Sequence, residues 1–321
     1  MRRILILRGG ALGDFIVTLP ALAALRAAFP TAQIELAGNA PAAALAVNRG
    51  LLDTAHSQHE SRWSALYDSA PLPSALATWL ARFDLVLNFW PDPDVTLAAH
   101  FPLHSAQRFL TAPAHPTIAP AAAHYCAPLQ NLGIAVTDFF YPLTFHIREN
   151  PCPSVVKNSA AKPDTPAAFA LALHPGSGSS SKNWPAENYL ALLPQFPAPL
   201  LLILGEAELD HWSALLATPL QPGLTTHRIG SLTLTLAICL PLEDVVALLA
   251  RCTRYLGHDT GISHLAAACS VPSLLLFGPT DPTIWAPPAT HVHILRAPVS
   301  LKELSLSAVQ AALTSTPLAQ K

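Results

Sequence analysis

In each half of this chain of 321 residues, a short apolar run breaks into a glycine-bearing loop that opens onto a helical pattern. The first instance is "ILILRGGALGD", Ile4 to Asp14, after which Phe15, Leu19, Leu22, Leu25 and Phe29 recur at helical spacing until Pro30. The second is "AFALALHPG", Ala168 to Gly176, followed by "PAENYLALLPQF" with proline at its first helical position. A strand that feeds a helix through a tight loop returns to a parallel neighbour, so a repeated strand–loop–helix pattern predicts parallel sheets with crossover helices.

Further segments extend each half. "AQIELAG" and "FDLVLNF" read as strands of the first half, with a helix at about Ser74 to Arg82. In the second half "PLLLILGE", "RYLGH" and "SLLLFG" read as strands, and "PLEDVVALLARC" and "GISHLAAAC" as helices. The stretch between Glu206 and Pro241 carries no legible period. Between the halves, "NPCPSVVKNSAAKPDTP" (150–166) holds four prolines among polar residues and reads as a linker. Two doubly wound α/β domains are therefore expected, residues 1–160 and 161–321, facing across a cleft that would hold the site.

Composition narrows the function classes. The net charge is −2, from 18 basic and 20 acidic residues, and no basic run exceeds Arg2-Arg3, which argues against nucleic acid as a partner. Five cysteines form no C-x-x-C pair, so reduced thiols in a cytoplasmic protein are expected rather than a zinc or redox site. The start "MRRILILRGG" is too short in apolar residues for a signal peptide, and prolines and histidines interrupt every long uncharged window.

Three loops carry the chemistry. In "RGGALGD", Arg8 to Asp14, a dinucleotide fingerprint would need glycine where Arg8 stands, and a Walker loop would need lysine where Asp14 stands. A carboxylate at a helix N-terminus repels phosphate, so Asp14 reads either as an N-cap or as a general base. Glu35 lies at about the distance of a ribose-binding acid, but in mid-strand. In "HPGSGSSSKNWP", His174 to Pro185, backbone N–H groups, hydroxyls such as that of Ser177, and Lys182 suit an anion. In "LGHDTGISH", the strand ending near Leu256 delivers Asp259, Thr260 and Gly261 to a helix start, a receptor for a diphosphate, with His264 on the same side. Thr260 or Asp259 could instead merely cap that helix. Asp92 and Asp94 form an acid-x-acid pair that suits a metal, although two prolines favour an ordinary turn. His258 with His264, and His100 with His104, lack the partners of a metal site.

With these loops in place, the chain resembles the heptosyltransferases, glycosyltransferase family nine, which build the lipopolysaccharide core. The resemblance rests on "ILILRGGALGDFIVTLPALAALRAAFP", "HPGSGSSSKNWPAENYLALL" and "GHDTGISHLAAACSVPSLLLFGPTDP". It implies a GT-B fold, with acceptor on the first Rossmann-like domain and nucleotide-sugar donor on the second. It places the catalytic aspartate on Asp14, with Gly13 and Arg8 on the acceptor side. The donor-phosphate lysine falls on Lys182, and the D-T-G-x-x-H donor motif on Asp259, Thr260, Gly261 and His264. A ribose-contacting acid falls on Glu206 or Glu208. The implied reaction is inverting transfer of a sugar, a heptose from ADP-heptose, to a glycolipid or glycan hydroxyl, with no metal or other cofactor. A cytoplasmic enzyme with peripheral association at the inner membrane face is implied. A transferase using another nucleotide sugar, and a non-catalytic nucleotide- or glycan-binding protein, remain the alternatives. Relatives often carry an acid-x-Gln-Gly stretch on the acceptor side where this chain has Asn88-Phe89-Trp90-Pro91, and basic residues in the first half are sparse apart from Arg8, Arg62, Arg82 and Arg108.

Overall fold

The computed structural model describes residues 1–143, 168–177, 179 and 182–316. The chain divides into two compact units, Met1–Tyr141 and Pro142–Lys321. The boundary expected at residue 160 lies outside the described residues, as does Cys152. Of the other cysteines, Cys126 and Cys252 are buried and Cys239 and Cys269 are half-buried.

The first unit is built on five described strands: β1 (Arg3–Arg8), β2 (Gln33–Gly38), β3 (Thr54–Ser57), β4 (Leu85–Asn88) and β5 (Arg108–Thr111). They lie in the order β3-β2-β1-β4-β5, with every pairing parallel. Ile4, Leu5, Ile6 and Leu7 are all fully buried, as a strand must be when helices cover both sheet faces. One face packs Leu5, Leu7 and Val86 against Trp63, Leu76, Leu80 and Trp90.

The helix expected as continuous from Phe15 to Phe29 is two helices, Leu12–Ile16 and Leu19–Ala28. Pro20 has no N–H to give the Ile16 carbonyl, and its ring crowds that carbonyl. The break is closed locally, with the Thr18 hydroxyl donating to the Phe15 carbonyl at 2.5 Å.

The second unit carries β6 (Leu171–His174), β7 (Leu200–Leu204), β8 (Gly223–Ile229), β9 (Leu232–Ile238), β10 (Tyr255–His258), β11 (Ser273–Phe277) and β12 (Val292–Arg296). Their order is β12-β11-β10-β6-β7-β9-β8, parallel except for the edge hairpin β8–β9. That hairpin occupies the stretch that showed no period. Its turn is Gly230-Ser231, with Gly230 at φ +61°, and β8 runs Gly-Leu-Thr-Thr-His-Arg-Ile along an exposed edge. An edge strand with two wet faces needs no apolar alternation.

In both sheets the strand order reverses at one place, between β1 and β4 in the first unit and between β6 and β10 in the second. Loops leaving the carboxyl ends of such neighbours diverge and leave a crevice, where ligands of open α/β sheets bind. The three chemistry-bearing loops leave β1, β6 and β10. No helix among the described residues is long and apolar enough to cross a membrane.

Candidate functional site

The loop after β1 is fixed from every side. Gly10 has φ +102°, and a Cβ there would stand 2.6 Å from Asp14 Oδ2, so only glycine lets the chain turn beneath the carboxylate. The Gly10 N–H donates to Gln58 Oε1 at 3.0 Å, and the Asn39 side-chain amide donates to the Gly10 carbonyl at 3.2 Å. The helix N-cap is Ala11, not Asp14. Asp14 is three residues further on, and its Oδ2 accepts the Ala11 N–H at 2.9 Å, the carboxylate half of a capping box.

The other carboxylate oxygen, Oδ1, accepts from Arg8 Nη2 at 3.1 Å. Arg8 is only 4% exposed. Its Nε donates to the Asp14 carbonyl at 3.1 Å, its Nη2 also donates to the Tyr125 hydroxyl at 3.0 Å, and its guanidinium lies 4.3 Å from the Tyr125 ring centre. Burial pushes the Tyr125 hydroxyl up, with Arg8 opposing, so it stays a phenol and donates on to the Ala114 carbonyl at 2.8 Å. Arg8, expected on the acceptor side, is thus buried against Asp14. The Asp14 side chain keeps about a third of its surface open (32%). Gly13 is half-buried inside the Leu12–Ile16 helix, where its carbonyl accepts the Val17 N–H.

In the second unit, β6 and β10 are neighbours, so their loops meet. Lys182 from the first loop donates to Asp259 Oδ2 at 3.1 Å, with both side chains partly covered. The Ser177 hydroxyl lies 2.6 Å from both the Ser179 carbonyl and Asn183 Oδ1, which folds the loop on itself. Thr260 is the N-cap of the Gly261–Ala268 helix, and its Oγ1 accepts the Ser263 N–H at 3.2 Å. That leaves the first N–H groups, from Gly261 onward, without an intrahelical acceptor. His264 is buried in the first turn, donating its backbone N–H to the Thr260 carbonyl.

His258, beside this motif, is structural. It is fully buried, and the Trp184 backbone N–H donates to its Nε2 at 2.9 Å, which fixes that nitrogen as the unprotonated one. The Tyr189 hydroxyl lies 2.8 Å from the same nitrogen, and Nδ1 faces the Gly176 carbonyl. Burial, then the neighbouring His174, pushes His258 down to about 3, so it is a neutral strut across the two loops.

The two acids left open after β7 differ in place. Glu208 Oε2 accepts the Gly205 N–H at 2.7 Å, and a Cβ on Gly176 would overlap its Oε1, so its carboxyl lies against the β6 loop. Glu206 is exposed on the outer side of the same turn.

Other candidates have structural partners. Both Asp92 oxygens accept backbone N–H groups, of Leu97 and Ala98 at 2.9 Å, so Asp92 caps the Thr96–Ala99 turn. His100 faces the Asp68 carbonyl at 2.9 Å and His104 the Ala81 carbonyl at 3.1 Å. Glu35 is buried between Arg3 (2.5 Å) and His56 (2.8 Å); burial raises its pKa, but hydrogen bonds from His56 and Arg3 outweigh that and hold it below the usual carboxylate range. It is a sheet-face ion pair, not a ribose ligand. Among the described residues, no group of three His, Cys, Asp or Glu side chains could hold a metal. Sequence reasoning missed Tyr125 and Gln58, because each reaches the loop after β1 from a distant element that no local spacing marks.

Two Rossmann-like units with these switch-point loops define the GT-B class of fold. A glycosyl transferase family 9 protein from Veillonella parvula has the same fold, with a TM-score of 0.69 at 19% identity over 98% of this chain and 97% of that one. So has the heptosyltransferase WaaC of Escherichia coli, solved with ADP, with a TM-score of 0.67 at 19% identity over 98% of this chain and all of that one (100%). Residues 153–309 match the family model described as glycosyltransferase family 9 (heptosyltransferase), so the resemblance drawn from the three sequence blocks is borne out. A curated relative, lipooligosaccharide heptosyltransferase 2 of Haemophilus influenzae, is 38% identical over 55 residues; the aligned stretch is 17% of this chain and spans only 16% of that protein.

Proposed function

We propose that this protein is a glycosyltransferase that moves a sugar from a nucleoside-diphosphate sugar to a hydroxyl of a glycan or glycolipid, in the way its family name describes. The observation that carries the reading is the meeting of Lys182, Asp259 and the open end of the Gly261–Ala268 helix at the switch point of the second unit. A movable cation beside unpaired N–H groups, with the helix dipole behind them, is a receptor for a diphosphate and stabilises the charge that develops as it leaves. Lys182 would exchange Asp259 for the phosphate. Ser177 orders the loop that presents it, and Glu208, rather than the exposed Glu206, takes the ribose.

Asp14 is the general base of this reading. Each of its oxygens accepts one N–H, which fixes the carboxylate, and the open third of its surface leaves a lone pair for the acceptor hydroxyl. Arg8 and Gly13 act on the acceptor side by holding Asp14 in position. Attack opposite the departing diphosphate inverts the anomeric centre. Asp92 is committed to its turn and Lys182 supplies the positive charge, so the reaction proceeds without a divalent metal. The donor is ADP-heptose and the acceptor a lipopolysaccharide-core hydroxyl, met at the cytoplasmic face of the inner membrane.

The test is a comparison of ADP, UDP, GDP and dTDP by thermal shift, followed by mass-spectrometric detection of transfer from the sugar of the base selected. Stabilisation by ADP of about 2.7 kcal/mol at a hundredfold excess over Kd is expected, with transfer that survives EDTA. Failure of every diphosphate to bind would remove the reading. Loss of transfer in EDTA with recovery in manganese would overturn its metal-free form.

A further inference from the structure

A groove of about 560 Å³ lies beside the Asp14 loop, wholly within the first unit. Its volume falls in the range of small-molecule sites, about 300–1,000 Å³. Trp63, Trp90 and Tyr67 form its walls, and Gln58, His59 and Ser61 are among the polar groups on its rim. The indole rings form an edge-to-face cluster, Trp63 meeting Trp90 at 5.6 Å and Trp79 at 5.7 Å. Tyr67, by contrast, is 48% exposed where it lines the groove.

Three observations select the occupant. The first is an indole edge: Trp90 lines the groove although only 6% exposed, and its Nε1 lies on the side of the Gly9 turn. The second is charge: the groove is lined by no lysine or arginine, and its one acid, Glu60, is paired with Arg62 Nε at 2.9 Å. The third is location: Gln58 accepts the Gly10 N–H, and a Cβ on Gly9 would stand 3.2 Å from Trp90 Nε1, so the groove abuts the turn that carries Asp14.

Apolar ring faces with amide, hydroxyl and indole groups at their edges suit a sugar ring, whose C–H face stacks on an aromatic while its hydroxyls bridge to the rim. A phosphorylated or carboxylated ring would meet no lysine or arginine among the lining residues. We infer that the groove lined by Gln58, Trp63, Tyr67 and Trp90 is a carbohydrate subsite for an uncharged sugar, the part of the acceptor next to the hydroxyl that Asp14 activates. The inference rests on the transferase reading for the word acceptor, but the groove's preference for a neutral sugar stands on its lining alone.

The probes are neutral methyl glycosides and disaccharides, with glucose 6-phosphate and adenosine as comparators, titrated at millimolar concentration into the full-length protein carrying nitrogen-15 tryptophan. The expected result is a shift of the Trp90 indole signal, assigned by its loss in Trp90→Phe, with at least one neutral sugar and with neither comparator. Tyr67→Ala, at an exposed position that leaves folding intact, should weaken that sugar about tenfold. Diphosphate binding to the second unit, followed in the same samples, should be the same in Tyr67→Ala as in the parent. A shift with adenosine or glucose 6-phosphate but with no neutral sugar, or no shift with any probe, overturns the subsite while leaving the transferase reading to its diphosphate test. Sugar binding at Trp90 in a protein that binds no diphosphate supports the groove's specificity and removes the acceptor role.

Discussion

Replacing Asp14 by asparagine separates its two tasks. The carboxylate faces two donors, Arg8 Nη2 at 3.1 Å on Oδ1 and the Ala11 N–H at 2.9 Å on Oδ2. An amide has one oxygen, so whichever way the new side chain turns, its NH₂ confronts a donor. Since Arg8 is buried, it also loses the charge that balances it. Leaving a buried donor unsatisfied costs about 1–3 kcal/mol. For a unit of 141 residues, each kcal/mol shifts Tm by roughly 3–5 °C, so a fall of about 3–15 °C is expected. On sequence alone Asn looks neutral here, because Asn and Asp cap helices about equally; the Arg8 contact removes that equivalence. Transfer should fall by about 10²–10⁴-fold as the base is lost. The assay measures Tm, diphosphate affinity and turnover on one preparation, at a temperature where both proteins are folded. A lower Tm with turnover within a few-fold of the parent would refute the base and leave Asp14 as the counter-ion of Arg8. Unchanged Tm would refute the energetic reasoning about the buried guanidinium.

Lys182→Ala should weaken diphosphate binding about 10- to 100-fold, the equivalent of about 1.5–3 kcal/mol for a charge-assisted contact, and adding Asp259→Asn should restore part of it by removing an unpaired carboxylate; calorimetric titration with the diphosphate checks both. Glu208→Gln should raise the donor KM while Glu206→Gln leaves it unchanged, since only Glu208 lies against the β6 loop; steady-state kinetics distinguish the two, and the reverse order would reassign the ribose contact. Stability should depend on pH through His174 and His258. Burial depresses both folded values below 6.5, so their contribution is intact above that pH and is lost as pH falls below it, for His258 toward about 3. The slope is about 1.4 kcal/mol per pH unit for each histidine, and denaturant melts of the parent from pH 7 to 4.5 that show no loss would contradict the buried neutral pair.

The legible parts of this chain are those where one local rule acts alone. Strands β1, β4, β6, β7, β10 and β11 are buried on both faces, so each is a short apolar run that could be little else. The loops after β1, β6 and β10 stood out because glycines and polar residues interrupt an apolar background. Thr260 as cap and Lys182 beside Asp259 follow from the same local grammar once the strands are neighbours. What stayed hidden needed a partner from elsewhere in the chain. β3 and β5 are half-exposed edge strands, whose burial pattern is set by the sheet and not by their own period. The β8–β9 hairpin reads as polar because its outer strand has no buried face.

The Asp14 site shows why spacing cannot supply orientation. From the sequence, Arg8 and Asp14 are two charged residues on one glycine turn, and Arg8 is as free to meet an anionic acceptor as to meet Asp14. Tyr125, 117 residues away, decides between them. Its ring and hydroxyl hold the guanidinium in the interior, where Asp14 balances its charge. With that arginine turned inward, the first unit presents no buried cation at this loop to an acceptor, and the surface that remains beside it is the groove of Trp63, Tyr67 and Trp90. On the proposed reading of Asp14 as base, the contact that fixes it would also set the kind of substrate it meets: a hydroxyl on a ring recognised by aromatic faces, with any charge carried elsewhere on the molecule.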